Sequence, residues 1–478
     1  MVKPWIQQYP EGVPAEVGPI PWSSIPELFA EAVRNYPDHP AVANLGTWIS
    51  YTRLDELSSH LANYLSRELG LAQGSRVGIM MPNLIQHAVA IFGILKAGLI
   101  VVDINPLYTA SELEHPLKDS GAEAIIILEN FCHVLESVLP ATRVRHVIRT
   151  SVGDLLTFPK SWVVNFMVKT IKRKVPNFRI PNSISLRAVL KTGAKTPFSA
   201  PRIGLDEPAI LQYTGGTTGI SKSAVLSHRN LVTNVQQATL WITHGASPHK
   251  TIVRGQEIVI NALPLYHIFS LTAGFLAFMH LGGLNYLITN PRDLPNFVKE
   301  LKRVQFTCIP GVNTLFNRLM NTPGFEEIDF STLKLCVGGG MAVQRSVAER
   351  WKALTGCTLI EGYGLTETSP AVSINPLNLK DYNGSIGLPL PSTEISIRDD
   401  RDREVPLGEI GELWVRGPQV MKGYWNRPDE SAKVLSPDGW LKTGDIARLD
   451  EQGYIYLVDR KKDLIIVSGF NVFPNEVE

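Results

Sequence analysis

Along the first half of the chain, apolar and polar positions switch between two periods. The short apolar runs "RVGIMM" and "LIVVDINP" flank "NLIQHAVAIFGILKAG", and "SELEHPLKDSG" leads into "AEAIIIL". Short apolar runs closed by glycine or polar residues read as buried strands, and the longer periodic stretches between them read as helices. Strand, helix, strand at this spacing predicts an α/β fold with parallel sheets and crossover helices. The chain shows no fixed-period repeat and no low-complexity tract.

Two stretches break the alternation. Residues 268–288, "IFSLTAGFLAFMHLGGLNYLI", carry no Asp, Glu, Lys or Arg and could span a bilayer by length. Gly282-Gly283 interrupts them, so a buried helix, a turn and a short strand are expected instead. In "WVVNFMVKTIKRK", Trp162, Val163, Phe166, Met167 and Ile171 share one helical face, while Lys169, Lys172, Arg173 and Lys174 crowd the end. Two readings stay open for Trp162–Lys174. It is a helix lying on the inner surface of an anionic membrane, or a surface helix whose basic last turn matches its dipole.

Composition narrows the class. A chain of 478 residues exceeds one compact core, so two or three structural units are expected. Basic and acidic side chains number 46 and 45. That balance gives no clustered basic face and argues against a nucleic-acid partner. Cys132, Cys308, Cys336 and Cys357 form no CxxC pair, which disfavours a disulfide framework or a zinc knuckle. A reducing, cytoplasmic setting fits, and "MVKPWIQQYPEG" lacks the apolar core of a signal peptide.

The densest chemistry lies in "LQYTGGTTGISKSAVLS", residues 211–227. It nearly spells a Walker A loop, with Ser221 where glycine is needed. "AILQY" before it and "SAVLS" after it both read as strands, and the next helix starts later, with Ser227 as N-cap and Leu231, Val235, Ala238 and Ile242 at helical spacing. The loop is therefore expected to close a hairpin, not to open a helix. Gly215, Gly216 and Gly219 let backbone N–H groups converge on an anion, Thr214, Thr217 and Thr218 add hydroxyls, and Lys222 adds charge. This chemistry suits phosphate.

At these residues the sequence resembles the adenylate-forming (AMP-binding) superfamily. The likeness continues in order through "NALPLYHIF", "EGYGLTE", "GELWVRGP", "WLKTGD" and "YLVDRKKDLIIVSGFNVFPNEVE", and is most like bacterial long-chain fatty-acid–CoA ligases over nearly the whole chain. The resemblance implies a large N-terminal domain of layered sheets and helices with a small β-barrel-like subdomain, over residues 1–458. Residues 459–478 would be a hinge and the stub of a small C-terminal domain otherwise missing. The implied reaction joins a long-chain fatty acid to ATP, giving acyl-adenylate and pyrophosphate, and then to coenzyme A, with Mg2+ as the metal.

The resemblance also implies roles. Glu367 would hold the metal together with Thr214, and Thr366 would touch the α-phosphate; a carboxylate among hydroxyls suits Mg2+. Glu361, Gly362, Tyr363 and Gly364 would border adenine, as would Gly338, Gly339 and Gly340, which also border the acyl chain. Asp445 would hold the ribose diol, Arg460 the ribose or phosphate, and Lys462 the hinge. His267 would sit near the substrate carboxylate, and Lys222 would be catalytic from the phosphate loop. Ile268, Phe269, Gly311, Val312 and Thr314 would line the acyl tunnel, or else serve as plain core. A homodimer is among the assemblies the resemblance allows.

Two features depart from the pattern. Ser223 stands where glycine usually follows the lysine, so it crowds the loop or adds a hydroxyl. The chain stops at Glu478 as a helix-like "PNEVE" begins, whereas the resemblance implies about a hundred further residues, a small-domain length, carrying a lysine needed for adenylate formation. Impaired turnover by residues 1–478 is the expectation. The alternatives are transfer to another acyl acceptor, a P-loop nucleotidase, and a silent ATP- or lipid-binding protein.

Overall fold

The structure, a computed structural model, describes residues 3–214, 221–244 and 251–461, together with the backbone of the antiparallel pair Ile465–Val467 and Phe470–Val472. The chain divides into two compact units. One comprises 21–232 and 254–293, and the other 1–20, 233–253 and 294–478.

In the first unit a seven-stranded sheet runs in the order Ile184–Ser185, His146–Thr150, Ala124–Leu128, Arg76–Met80, Ile100–Asp103, Pro208–Tyr213, Ser223–Ser227. Every neighbouring pair is parallel except the last. Ala124–Leu128 and Ile100–Asp103 are buried along their whole length, which is why they read as unbroken apolar runs and not as alternation. The connecting helix Ile85–Lys96 is buried all round. Its Gly93 admits Leu61 of the helix Tyr51–Asn63, since a Cβ there would stand 2.6 Å from Leu61 Cδ2.

Burying polar groups here requires partners. Lys96 Nζ meets Asp55 Oδ1 at 2.6 Å, and His87 Nε2 lies 3.2 Å from each oxygen of Asp103. Residues 268–288 follow the expectation: a π-helix Phe269–Leu276, one α-turn Ala277–His280, a turn at Gly282 with φ +75°, and the strand Leu284–Leu287. No helix of the described residues is long and apolar enough to cross a membrane.

The second unit contains the neighbouring strands Cys308–Gly311, Leu335–Gly338 and Leu359–Gly364, parallel, followed by antiparallel Ala371–Ile374 and Leu388–Pro389. Phe316 and Phe325 pack on Trp351 behind them, with ring centroids 4.7 and 5.5 Å away. The small subdomain takes the form of a four-stranded antiparallel sheet, Glu394–Arg398, Ile410–Arg416, Leu441–Leu449, Ile455–Arg460. Asp459 and Arg460 belong to its last strand. All four cysteines are buried free thiols.

Candidate functional site

In the first unit, Pro208–Tyr213 pairs antiparallel with Ser223–Ser227, in register from Ile210↔Leu226 to Tyr213↔Ser223, with a bulge between Pro208 and Ile210. The loop is a hairpin, as its flanking strands implied. Its base closes on the Lys222 carbonyl, which accepts from Thr214 N at 2.8 Å and Thr214 Oγ1 at 3.2 Å. With its proton given to Lys222, the Thr214 hydroxyl keeps lone pairs outward, which suits a cation better than a phosphate oxygen. Ser223 is fully buried, and its Oγ has no hydrogen-bond partner among the described residues. It faces the sheet interior, so it adds no hydroxyl to the loop. Ser227 caps the helix His228–His244, accepting from Asn230 N at 3.3 Å. Gly215, Gly216, Thr217, Thr218 and Gly219 lie outside the described residues, and so does Lys462.

In the second unit, residues more than eighty positions apart converge. Tyr363, on the strand Leu359–Gly364, donates its hydroxyl to Asp445 Oδ2 at 2.6 Å. Asp445 pairs across the sheet with Arg460, whose Nε lies 3.5 Å from Asp445 Oδ1. Burial, reinforced by the Asp445 charge, pushes the Tyr363 phenol well above its usual range, so it stays a donor. Glu361, two residues earlier on the strand, points elsewhere: it is buried and accepts from Val343 N at 2.8 Å. Burial pushes its carboxyl up to about 7, against the lowering effect of hydrogen bonds from Val343 and Tyr382.

Thr366 and Glu367 open a short 3-10 turn, Thr366–Thr368. Glu367 Oε1 accepts from the Tyr424 hydroxyl at 2.7 Å. The two line a cleft of about 310 Å3 together with Glu412, Thr443, Gly444 and Lys461. Glu412 is tied on both sides, accepting from Gly444 N at 3.1 Å and Lys461 Nζ at 2.9 Å. Among the described residues no group of three or more His, Cys, Asp and Glu could hold a metal. One carboxylate whose Oε2 has no hydrogen-bond partner among the described residues nonetheless fits Mg2+, which takes one or two carboxylates together with phosphate oxygens and water.

The expected acyl-lining residues are found in both units. In the first, His267 Nδ1 accepts from Phe269 N at 3.3 Å, so the proton of the neutral ring is on Nε2. The residue is exposed at its edge, and desolvation by the protein around the ring lowers its pKa. Ile268 is buried beside it. In the second, Gly311 and Gly338 are register partners, and Gly339 N donates to Gly311 O at 3.1 Å. Gly340, with φ +75°, leaves room beside Val312, while Thr314 is exposed on the helix Asn313–Met320. The glycine stretch and part of the acyl set are thus adjacent.

Sequence reasoning missed four participants. Tyr424 follows Gly423 in "KGYWNRPDE", Glu412 lies in "GELWVRGP" and Lys461 in "YLVDRKKDL", and no local pattern marks these side chains for the site. His115 Nε2 donates to Ser221 O at 2.7 Å, at the root of the glycine loop. Nothing in the local pattern of its helix, Ala110–Ser120, signals that contact.

Residues 29–425 match the model of the AMP-binding enzyme family. A long-chain-fatty-acid–CoA ligase of Yersinia pestis is 55% identical over 478 residues, covering all of this chain and 84% of that protein. The Salmonella typhimurium protein of the same name is 54% identical over the same span, again with 84% of its length covered. Among solved structures, the anthranilate CoA ligase AuaEII in complex with anthranoyl-AMP superposes with a TM-score of 0.83 at 22% identity, covering 96% of this chain and 82% of that one.

Proposed function

This chain belongs to the AMP-binding enzyme family, and from that premise we propose that it activates a long-chain fatty acid with ATP and passes it to coenzyme A. A carboxylate oxygen of the fatty acid attacks the α-phosphorus, the bond to the β-phosphate bridging oxygen breaks, and pyrophosphate leaves. The coenzyme A thiol then attacks the acyl carbon, releasing AMP and its proton. The observation that carries the reading is the meeting, in one unit, of the Tyr363–Asp445 pair with Glu367 and its cleft.

No protein nucleophile enters this scheme; the chain positions groups and offsets charge. Asp445 offers Oδ1 to the ribose diol while Tyr363 holds Oδ2, and Arg460 balances that carboxylate. The Tyr363 ring and Gly362 flank adenine, with Gly338–Gly340 at the border with the acyl chain. In the second unit Glu367 Oε2 would hold Mg2+ and Thr366 would meet the α-phosphate; in the first, Thr214 is the further candidate metal contact, and the loop 215–219 with Lys222 would cradle phosphate. Bound Mg2+ would neutralise phosphate charge as pyrophosphate departs. In the first unit the His267 Nε2–H would donate to the fatty-acid carboxylate and Ile268 and Phe269 would shield alkyl carbons; in the second, Gly311 and Val312 are the candidates for the same task. Each buried methylene contributes about 0.8 kcal/mol, so that channel sets chain-length preference. Residues 1–458 form the adenylating part, and 459–478 the hinge, at Lys462.

Calorimetry with ATP and Mg2+, followed by pyrophosphate release against a ladder of fatty acids with and without coenzyme A, tests this. ATP binding and release that rises with alkyl length support it. Lack of ATP affinity with retained fatty-acid binding would favour the silent lipid-binding alternative.

A cytoplasmic protein that meets the membrane surface is the second part of the reading. The helix Lys160–Phe166 and the π-turn Met167–Ile171 are amphipathic in reverse. The polar face is held inward: Asn165 Oδ1 accepts from Gly153 N at 2.7 Å, and Arg187 donates to Ser161 Oγ at 2.5 Å. The apolar face points out, with Trp162 65% and Ile171 62% exposed, beside Phe158 at 87%. Four cations, Lys169, Lys172, Arg173 and Lys174, follow and are exposed, each worth about 1 kcal/mol near an anionic bilayer. Co-sedimentation should capture the protein on phosphatidylglycerol vesicles, and a Trp162→Glu, Phe166→Glu double variant should stay in solution. Equal binding by both proteins, or dimerisation through this face in vesicle-free buffer, would refute it.

A further inference from the structure

The hydrogen bond between Tyr424 and Glu367 is the visible end of a strap. Three links fasten residues 419–424 to the turn that carries Glu367. Ser369 Oγ donates to Gln419 O at 2.9 Å, Met421 N donates to Glu367 O at 2.8 Å, and the Tyr424 hydroxyl donates to Glu367 Oε1 at 2.7 Å. The strap is itself anchored at both ends. Gln419 is fully buried and donates to Thr393 Oγ1 at 2.8 Å. Tyr424 N donates to Ser431 Oγ at 2.8 Å, in the helix Pro428–Val434.

A glutamate on a short turn has three side-chain torsions to fix, and a carboxylate left to itself samples many orientations at a rotamer cost of up to about 2 kcal/mol on ordering. The strap fixes the backbone of Glu367 and one of its two oxygens. We propose that Tyr424 is a positioning residue that orients the Glu367 carboxylate, leaving Oε2 as the oxygen presented to a nucleotide-bound divalent cation. Phosphate could not replace Tyr424 here, because two anions would face each other. A second donor to the carboxylate is not needed once a cation takes Oε2. The inference rests on the proposed metal role of Glu367.

The test uses Mn2+ as probe cation with a non-hydrolysable ATP analogue, read by electron paramagnetic resonance on wild type, Tyr424→Phe and Glu367→Gln. Partner groups behind a metal ligand are typically worth tenfold or more in metal affinity. Tyr424→Phe, which removes one oxygen and keeps the ring, should weaken Mn2+ about tenfold at an unchanged melting temperature. The KM for metal–ATP should rise while the affinity for metal-free ATP holds. Ser431→Ala, which frees the Tyr424 backbone and leaves its hydroxyl, should give a smaller loss of two- to threefold and serves if Tyr424→Phe fails to fold. Wild-type Mn2+ affinity in Tyr424→Phe, with affinity lost in Glu367→Gln, overturns the positioning role alone. Unchanged affinity in Glu367→Gln overturns the metal role on which it stands.

Discussion

Glu361 should make the protein less stable as pH rises through neutrality. Its carboxyl is buried, accepts one backbone N–H from Val343, and titrates near 7 instead of 4.5. Between those two values the folded chain keeps a proton that the unfolded chain has lost, so raising the pH favours unfolding. At about 1.4 kcal/mol per pH unit, the penalty grows to about 3 kcal/mol above pH 7. Below pH 4.5 it vanishes, because both states are protonated. Glu361→Gln copies the neutral acid in shape and still offers an oxygen to Val343 N. Urea denaturation of both proteins at pH 5, 6, 7 and 8, followed through the unit carrying Glu361, isolates the effect, since every other group cancels in the difference. The variant should match wild type within about 1 kcal/mol at pH 5 and exceed it by about 3 kcal/mol at pH 8. A gap that stays constant across the series would refute the buried-acid argument.

Three further outcomes are expected. Asp445→Asn should abolish a preference of about tenfold for ATP over 2′-deoxy-ATP, the worth of one charged hydrogen bond; measured by competition, an unchanged preference would remove Asp445 from the ribose. Gly364→Ala should cost about 2 kcal/mol or more in denaturation, because its Cβ would stand 2.0 Å from Pro370 O and must push the turn before Glu367 aside. Asp103→Ala should cost about 2 kcal/mol, since it strips the partner from Nε2 of the fully buried His87; a loss under about 0.5 kcal/mol would show that water or another group replaces the carboxylate.

Much of the architecture was legible because burial writes itself into apolar runs. Ala124–Leu128 and Ile100–Asp103 are buried on both faces, and a strand without a wet face admits no alternation to confuse it with a helix. The hairpin around the glycine loop was legible for a related reason: "AILQY" and "SAVLS" both read as strands, and Ile210–Tyr213 pairs residue by residue with Ser223–Leu226. Tyr363, Asp445 and Glu367 could be named from local blocks and the likeness those blocks carry. Their partners could not. Tyr424 and Glu367 are 57 positions apart, and Tyr363 and Asp445 are 82 apart. Such pairs leave no periodic trace, because each strand or turn satisfies its own local rules whichever distant side chain it meets.

The sequence by itself therefore determined which segments become strands and helices and which side chains could handle a phosphate. The tertiary structure alone decided where the lone pairs and protons are directed. It turned Ser223 inward, tied Thr214 to Lys222, gave Glu361 to a backbone amide, and set a tyrosine behind Glu367. Hydrogen bonds are short and directional, so their pairing is fixed only when packing brings remote segments within about 3 Å of each other.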